Sequence, residues 1–380
     1  MEVRRRVERL RQYMEEQGIQ LSIIWDPDNQ FYVTDFRAIS YSRPILTFID
    51  VHDVQLIIPK LEESHASERA QVDRTHIYYE QYAHRNLTLS YLEFVCRILK
   101  KIPRHSTIGI EMASMPASVY QFLQKSGYQL TDIGDKLIEM RSIKEEKEIE
   151  CLRIAGRLSD LAIAESLSNV RVGISELEFD SYGDRVLLET ASQQYANELI
   201  GYADWTCSGT ERSVMPHLNS STRKFADGDV VVHSRQVWYN NYRAENERTF
   251  LIGNVTEKQK DLLKLAIEAQ QVGMNMIRPG IVAKEVDIAT FNVFKKAGYA
   301  DFVQHRVGHG LGLSEHEEPY LRFDNELILK EGMVYTIEPG VYVPGVGGFR
   351  HSDTVIVTND GSFSITEYSR EFEKMHFALS

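Results

Sequence analysis

The sequence predicts an α+β catalytic region preceded by a smaller mixed α/β domain, and three observations carry that expectation. At 380 residues the chain exceeds the ~250–300 at which single cores usually stop growing. Its second half alternates long amphipathic helices with short apolar runs of strand type. A charge run, Lys144-Glu145-Glu146-Lys147-Glu148, reads as a solvated helix start at a boundary. The domains are therefore expected at 1–140 and 141–380.

In the first domain, Val3, Val7, Leu10 and Met14 recur at helical spacing, with Gly18 as a stop. Residues 21–25 read as a strand and Asp26-Pro27-Asp28-Asn29 as a turn. Residues 45–51 and 54–59 read as paired strands. In the second domain a helix is expected from Ile149, with Leu152, Ala155, Leu158 and Ala162 on one face. Another follows Thr256, a good N-cap, and ends before Pro279-Gly280. A third covers 282–297 and closes at Gly298. Strands are expected at 230–234, 248–252, 334–338 and 354–357, the last running into the turn Asn359-Asp360-Gly361.

Composition narrows the classes of function. The chain is 43% apolar and 26% charged, as in ordinary globular proteins. A net charge of −12 without a basic stripe argues against nucleic-acid binding. No apolar run approaches the ~20 residues that span a bilayer, and the charged first residues lack a signal-peptide core. Three scattered cysteines, Cys96, Cys151 and Cys207, make a reducing cytoplasm the expected compartment.

The motifs are more specific. Gly308-His309-Gly310-Leu311-Gly312-Leu313-Ser314-Glu315-His316-Glu317-Glu318-Pro319 resembles the GHGxGxxxHExP signature of the pita-bread hydrolases. That family includes aminopeptidase P, prolidase, methionine aminopeptidase and creatinase. Gly332-Met333-Val334-Tyr335-Thr336-Ile337-Glu338-Pro339-Gly340 resembles its next motif. The resemblance implies a pita-bread catalytic domain behind a creatinase-type N-terminal domain. In metal-dependent members five side chains hold two ions. Their counterparts here are Ser234, Glu245, His309, Glu338 and Ser352, so two anionic positions carry serine. Paired divalent ions need bridging carboxylates, and three ligands bearing two negative charges hold at most one ion weakly.

The remaining residues resemble creatinase, the metal-free member. Glu247 stands before Arg248-Thr249 where peptidases usually carry threonine and creatinase a glutamate. His217 matches that enzyme's acid–base histidine, Glu338 its second guanidinium-binding glutamate, and Tyr41-Ser42-Arg43-Pro44 its carboxylate-gripping element, supplied by the neighbouring subunit. The leading expectation is therefore a cofactor-free homodimeric hydrolase of a C–N bond in a carboxylate-bearing guanidino or amidine compound. His217, Glu247 and Glu338 are the expected catalytic groups, and Tyr41, Arg43, Arg243, Glu245, His309 and His316 are expected to bind substrate. Two other readings stay open. One is an Xaa-Pro aminopeptidase or dipeptidase with a single ion on Glu245, His309 and Glu338. The other is a catalytically inactive binding module.

Overall fold

In the computed structural model, which describes residues 2–39, 41–81, 84, 86–88 and 90–379, the backbone separates into two units after Arg141. The first unit has strands β1 (Ile19–Ile24), β2 (Leu46–Ile49), β3 (Val54–Pro59), β4 (Arg74–Tyr78), β5 (Thr107–Ile110) and β6 (Gln129–Asp132). They form one mixed sheet in the order β4-β3-β2-β1-β5-β6. Its helices are α1 (Glu2–Glu16), α2 (Pro27–Thr34), α3 (Glu63–Arg69), α4 (Tyr91–Leu99), α5 (Ala117–Lys125) and α6 (Gly134–Ser142). The expected first helix forms and buries Val3, Val7, Leu10 and Met14. Gly18, at φ +67°, turns the chain into β1.

One expectation here is corrected. Asp26-Pro27-Asp28-Asn29 is not a turn but the start of α2. The Asp26 side chain accepts from the backbone N–H of Asp28 and Asn29, and Pro27 takes the first helical position, where no N–H is needed. The same letters serve either structure, and the buried residues of α2 select the helix.

The second unit carries helices α7 (Glu146–Ser168), α8 (Glu176–Gln194), α9 (Glu257–Met276) and α10 (Ala283–Lys296). Its strands are β7 (Ile200–Ser208), β8 (Val230–Tyr239), β9 (Tyr242–Ile252), β10 (Gly308–Gly310), β11 (Glu317–Leu321) and β12 (Val334–Ile337). They continue with β13 (Gly340–Val343), β14 (Gly347–Arg350), β15 (Ser352–Val357), β16 (Ser362–Ser364) and β17 (His376–Phe377). The large sheet runs β11-β10-β12-β15-β9-β8-β7, with β16 added on β15, β17 on β9, and β13–β14 a separate pair. This is a pita-bread α+β architecture.

Capping explains where the helices begin. Thr256 Oγ1 accepts from the Gln259 N–H while Gln259 Oε1 accepts from the Thr256 N–H, a reciprocal box at the start of α9. Glu148 accepts from the backbone N–H of Glu145 at the start of α7. The apolar faces of α7, α8 and α9 meet the sheet in one core containing Ile163, Leu167, Phe179, Phe225, Phe250, Leu262 and Phe349. The expected strands at 230–234 and 248–252 are the distal ends of a longer hairpin. Its tip, Asn240-Asn241, has positive φ at both residues, as a tight primed turn requires. That hairpin and its register place the site.

Candidate active site

Side chains directly opposite on antiparallel strands point to the same face of a sheet. Trp205 on β7 pairs with Ser234 on β8, Ser234 with Glu247 on β9, and Glu247 with Ser352 on β15. Two residues along the hairpin, and so on the same face, Gln236 pairs with Glu245. These strands therefore lay Ser234, Gln236, Glu245, Glu247 and Ser352 on a common floor, all buried.

His309 and Glu338 arrive from the neighbouring strands. Gly310 on β10 pairs with Tyr335 on β12, and Glu338 follows directly after β12. The strands approach so closely that a Cβ on Gly308 would stand 1.9 Å from the Thr336 carbonyl oxygen. Only glycine fits there. The loop beyond β10 is held by Glu317, which accepts from the N–H groups of Leu313 and Ser314 and pairs with buried Lys144. This fixes His316, whose ring stacks on His309 at 3.9 Å between centroids.

Glu245, His309 and Glu338 come together with one donor atom from each inside 4.8 Å. His309 Nε2 lies 3.2 Å from Glu338 Oε1 and 4.0 Å from Glu245 Oε2. Its other nitrogen, Nδ1, lies 2.9 Å from the Gly310 carbonyl oxygen and donates to it, so Nε2 is the nitrogen turned toward the two carboxylates. Nε2 is buried and has no partner with hydrogen-bond alignment. Glu245 is steadied from both sides: Gln236 Nε2 donates to Oε2 at 2.9 Å and Ser352 Oγ to Oε1 at 2.7 Å.

Burial, followed by the charge of Glu338, raises the Glu245 carboxyl above its ordinary pKa. Burial would lower the His309 imidazole, but the Glu338 and Glu245 carboxylates lift it above its ordinary value. Burial likewise opposes ionisation of Glu338, yet His309 beside it holds that carboxyl well below the usual range. Two carboxylates and one imidazole crowded in a dry site favour a cation among them.

The donor set fits one divalent ion, since ligands ~2.1 Å from a common centre lie about 3–4 Å from each other. It does not fit a pair. Ser234 and Ser352 bring no charge, and Glu247 is already taken. Both Glu247 oxygens accept from Arg350, at 2.5 Å from Nε and from Nη2. Burial pushes the Glu247 carboxyl up to about 7 against the charge of Arg350. Arg350 is itself held well above its ordinary value, burial being outweighed by Glu247.

A cavity of about 280 Å³ opens over this floor, lined among others by Trp205, His217, Ser234, Gln236, Glu245, His316, Glu338 and Arg350. His217 and His316 therefore line it. Glu247, expected to act on substrate, is not on its wall, because Arg350 takes its carboxylate. Arg243, expected to bind a substrate carboxylate, lies over the Trp238 ring at 4.3 Å and donates from Nε to the Leu313 carbonyl oxygen. It also reaches Glu315, at 3.6 Å, and so ties the β9 strand to the His316 loop. Tyr41 is highly exposed and Arg43 pairs with Glu80, both within the first unit. Sequence reasoning missed Arg350, Gln236 and Trp205. Arg350 stands two residues before Ser352, but nothing in that spacing shows that it reaches Glu247.

Partial burial and the charge of His309 lower His316 to about 4, so it is neutral near pH 7. The arrangement can hold a cation, present a polar cavity to a small substrate and place two imidazoles against it.

Comparison with known proteins corrects the leading expectation. Metallopeptidase family M24 matches residues 150–359, and the creatinase/prolidase N-terminal domain matches residues 6–143. The chain is 30% identical over 372 residues to an Xaa-Pro dipeptidase of Pyrococcus furiosus, covering 97% of this chain and 99% of the relative. The prolidase of Pyrococcus horikoshii OT3 superposes with a TM-score of 0.82 at 28% identity, over 96% of this chain and 99% of that one. The prolidase from Thermococcus sibiricus superposes with a TM-score of 0.88 at 26% identity, over the whole of both chains. These relatives are dipeptidases, and the expectation of a metal-independent, creatinase-like amidinohydrolase without cofactor is overturned. The physical reason lies in Glu247 and Arg350: the glutamate that suggested guanidinium chemistry binds a guanidinium of the protein itself. No helix among the described residues is long and apolar enough to cross a membrane.

Proposed function

This chain belongs to metallopeptidase family M24, and we propose that it is a divalent-metal-dependent dipeptidase cleaving Xaa-Pro dipeptides. The observation that supports this most directly is the buried trio Glu245, His309 and Glu338, with His309 Nε2 turned toward two carboxylates. Those three side chains would hold the ion, which when bound polarises a carbonyl and lowers the pKa of a coordinated water. Gln236 and Ser352 orient Glu245 as its ligand. The cavity, about 280 Å³, lies at the small end of ligand pockets, ~300–1,000 Å³, and suits a dipeptide rather than a longer chain.

In this reading His217 and His316 act on the peptide itself. Neutral His316 steadies the scissile carbonyl or the product carboxylate, and His217 returns a proton to the proline nitrogen as it leaves. Arg43, delivered from a second copy in a homodimer, grips the substrate carboxylate. Arg43→Ala should then raise KM while leaving kcat and bound metal unchanged.

The test is hydrolysis of Ala-Pro and Leu-Pro against Ala-Ala after loading with Mn²⁺, Co²⁺ or Zn²⁺. Xaa-Pro cleavage that disappears with chelator and returns with metal is expected. Metal-loaded protein that leaves every Xaa-Pro dipeptide intact would sink the reading.

A further inference from the structure

Building on that reading, we infer that the pocket takes a single divalent ion and that the Arg350 guanidinium, locked by Glu247, is its second cationic centre. Ser234, Glu247 and Ser352 face each other across three adjacent strands, so the row offers two hydroxyls flanking one acid. Each of its oxygens accepts from a different nitrogen of Arg350. The bidentate pair offsets the negative charge that would draw a metal ion to Glu247. The Ser352 hydroxyl is engaged as well, donating to Glu245.

Glu338 joins the two centres. Its Oε1 faces His309 Nε2 at 3.2 Å, while its Oε2 lies 3.9 Å from Arg350 Nε. One oxygen thus serves the ion-binding trio and the other borders a fixed positive charge on the cavity wall. A second ion would have to enter beside a guanidinium that does not lose its proton in proteins. Ser234 and Gln236 line the same wall and add no charge to oppose that repulsion. The consequence for chemistry is a site with one exchangeable Lewis acid and one permanent cation.

The experiment is titration of the full-length metal-stripped protein with MnCl₂, read by equilibrium dialysis with elemental analysis and by electron paramagnetic resonance. The wild type should saturate at one equivalent per chain and give an uncoupled six-line signal. The quadruple variant S234D/E247T/R350M/S352E replaces the central acid with acids on both flanks, removes the fixed cation, and should bind two equivalents with an exchange-coupled signal. Wild-type saturation at two equivalents, or a coupled signal, overturns the inference and leaves the dipeptidase reading intact. A folded quadruple variant that stays at one equivalent also overturns it. If the quadruple variant does not fold, the wild-type stoichiometry and signal alone decide. Failure of the wild type to bind any Mn²⁺ at millimolar concentration removes the dipeptidase reading and this inference together.

Discussion

The two halves of the pocket floor carry similar groups and treat charge in opposite ways. On one side Glu245 and Glu338 crowd a single imidazole, and among the described residues the nearest guanidinium, Arg350, stands 3.9 Å from Glu338 without a hydrogen bond to it. On the other side Glu247 has a guanidinium of its own, buried with it and bonded at both oxygens. The first half is built to recruit a cation from solution, and the second has one built in. The number of carboxylates in a pocket therefore says less about its ion capacity than their existing partners do.

The sharpest way to break this comparison is to remove the ligand side chain of the open half. His309→Ala should lower Mn²⁺ affinity and kcat/KM for Ala-Pro by more than the ~10–100-fold typical of outer-shell changes. An unchanged affinity by calorimetry would show that the trio is not the ion site. Next in size is the closed half. Arg350→Met strands a buried Glu247 and should cost about 3–5 kcal/mol in denaturant unfolding. The double variant E247T/R350M should recover most of that loss, because it removes the orphaned charge. Equal losses in single and double variants would mean that packing, not charge pairing, holds this half together.

Acid offers a third contrast. His351 sits between Arg350 and Ser352, fully buried, and burial followed by the nearby Arg248 lowers it to about 3. The unfolded chain binds a proton on this group near pH 6.5 and the folded chain does not. The stability it contributes is fully present above about pH 6.5 and is lost as pH falls toward 3. The loss is on the order of a few kcal/mol. Urea unfolding at pH 7.5 and 5.0 should show a smaller difference for His351→Gln than for the wild type. The smallest effect expected is at Gln236. Gln236→Ala frees one oxygen of Glu245 and should weaken metal binding by ~10-fold, toward the lower end of outer-shell effects.

Much of the fold was legible because its signals are local. Thr256 caps α9, and Val3 to Met14 mark one helix face. Other elements hid. The helix α8, the strand β7 and the Asn240-Asn241 hairpin tip were not among the expected elements. At the site, the serines at 234 and 352 and the acids at 245, 247 and 338 were all visible as letters. Their chemistry was not, because a glutamate in a list carries no information about its partner.

By itself the sequence showed the residue types from which the site is built: two serines where acids would be expected, the glutamates 245, 247 and 338, and the histidines 217, 309 and 316. It also showed the cap at Thr256. Only the tertiary structure decided which glutamate is free to bind an ion. Arg350 and Glu247 are 103 positions apart, and they meet because the register of β8, β9 and β15 sets Glu247 in the middle of a row that Arg350 overlies. That pairing turns an expected catalytic acid into a counter-ion, since a buried carboxylate takes the nearest cation that folding supplies.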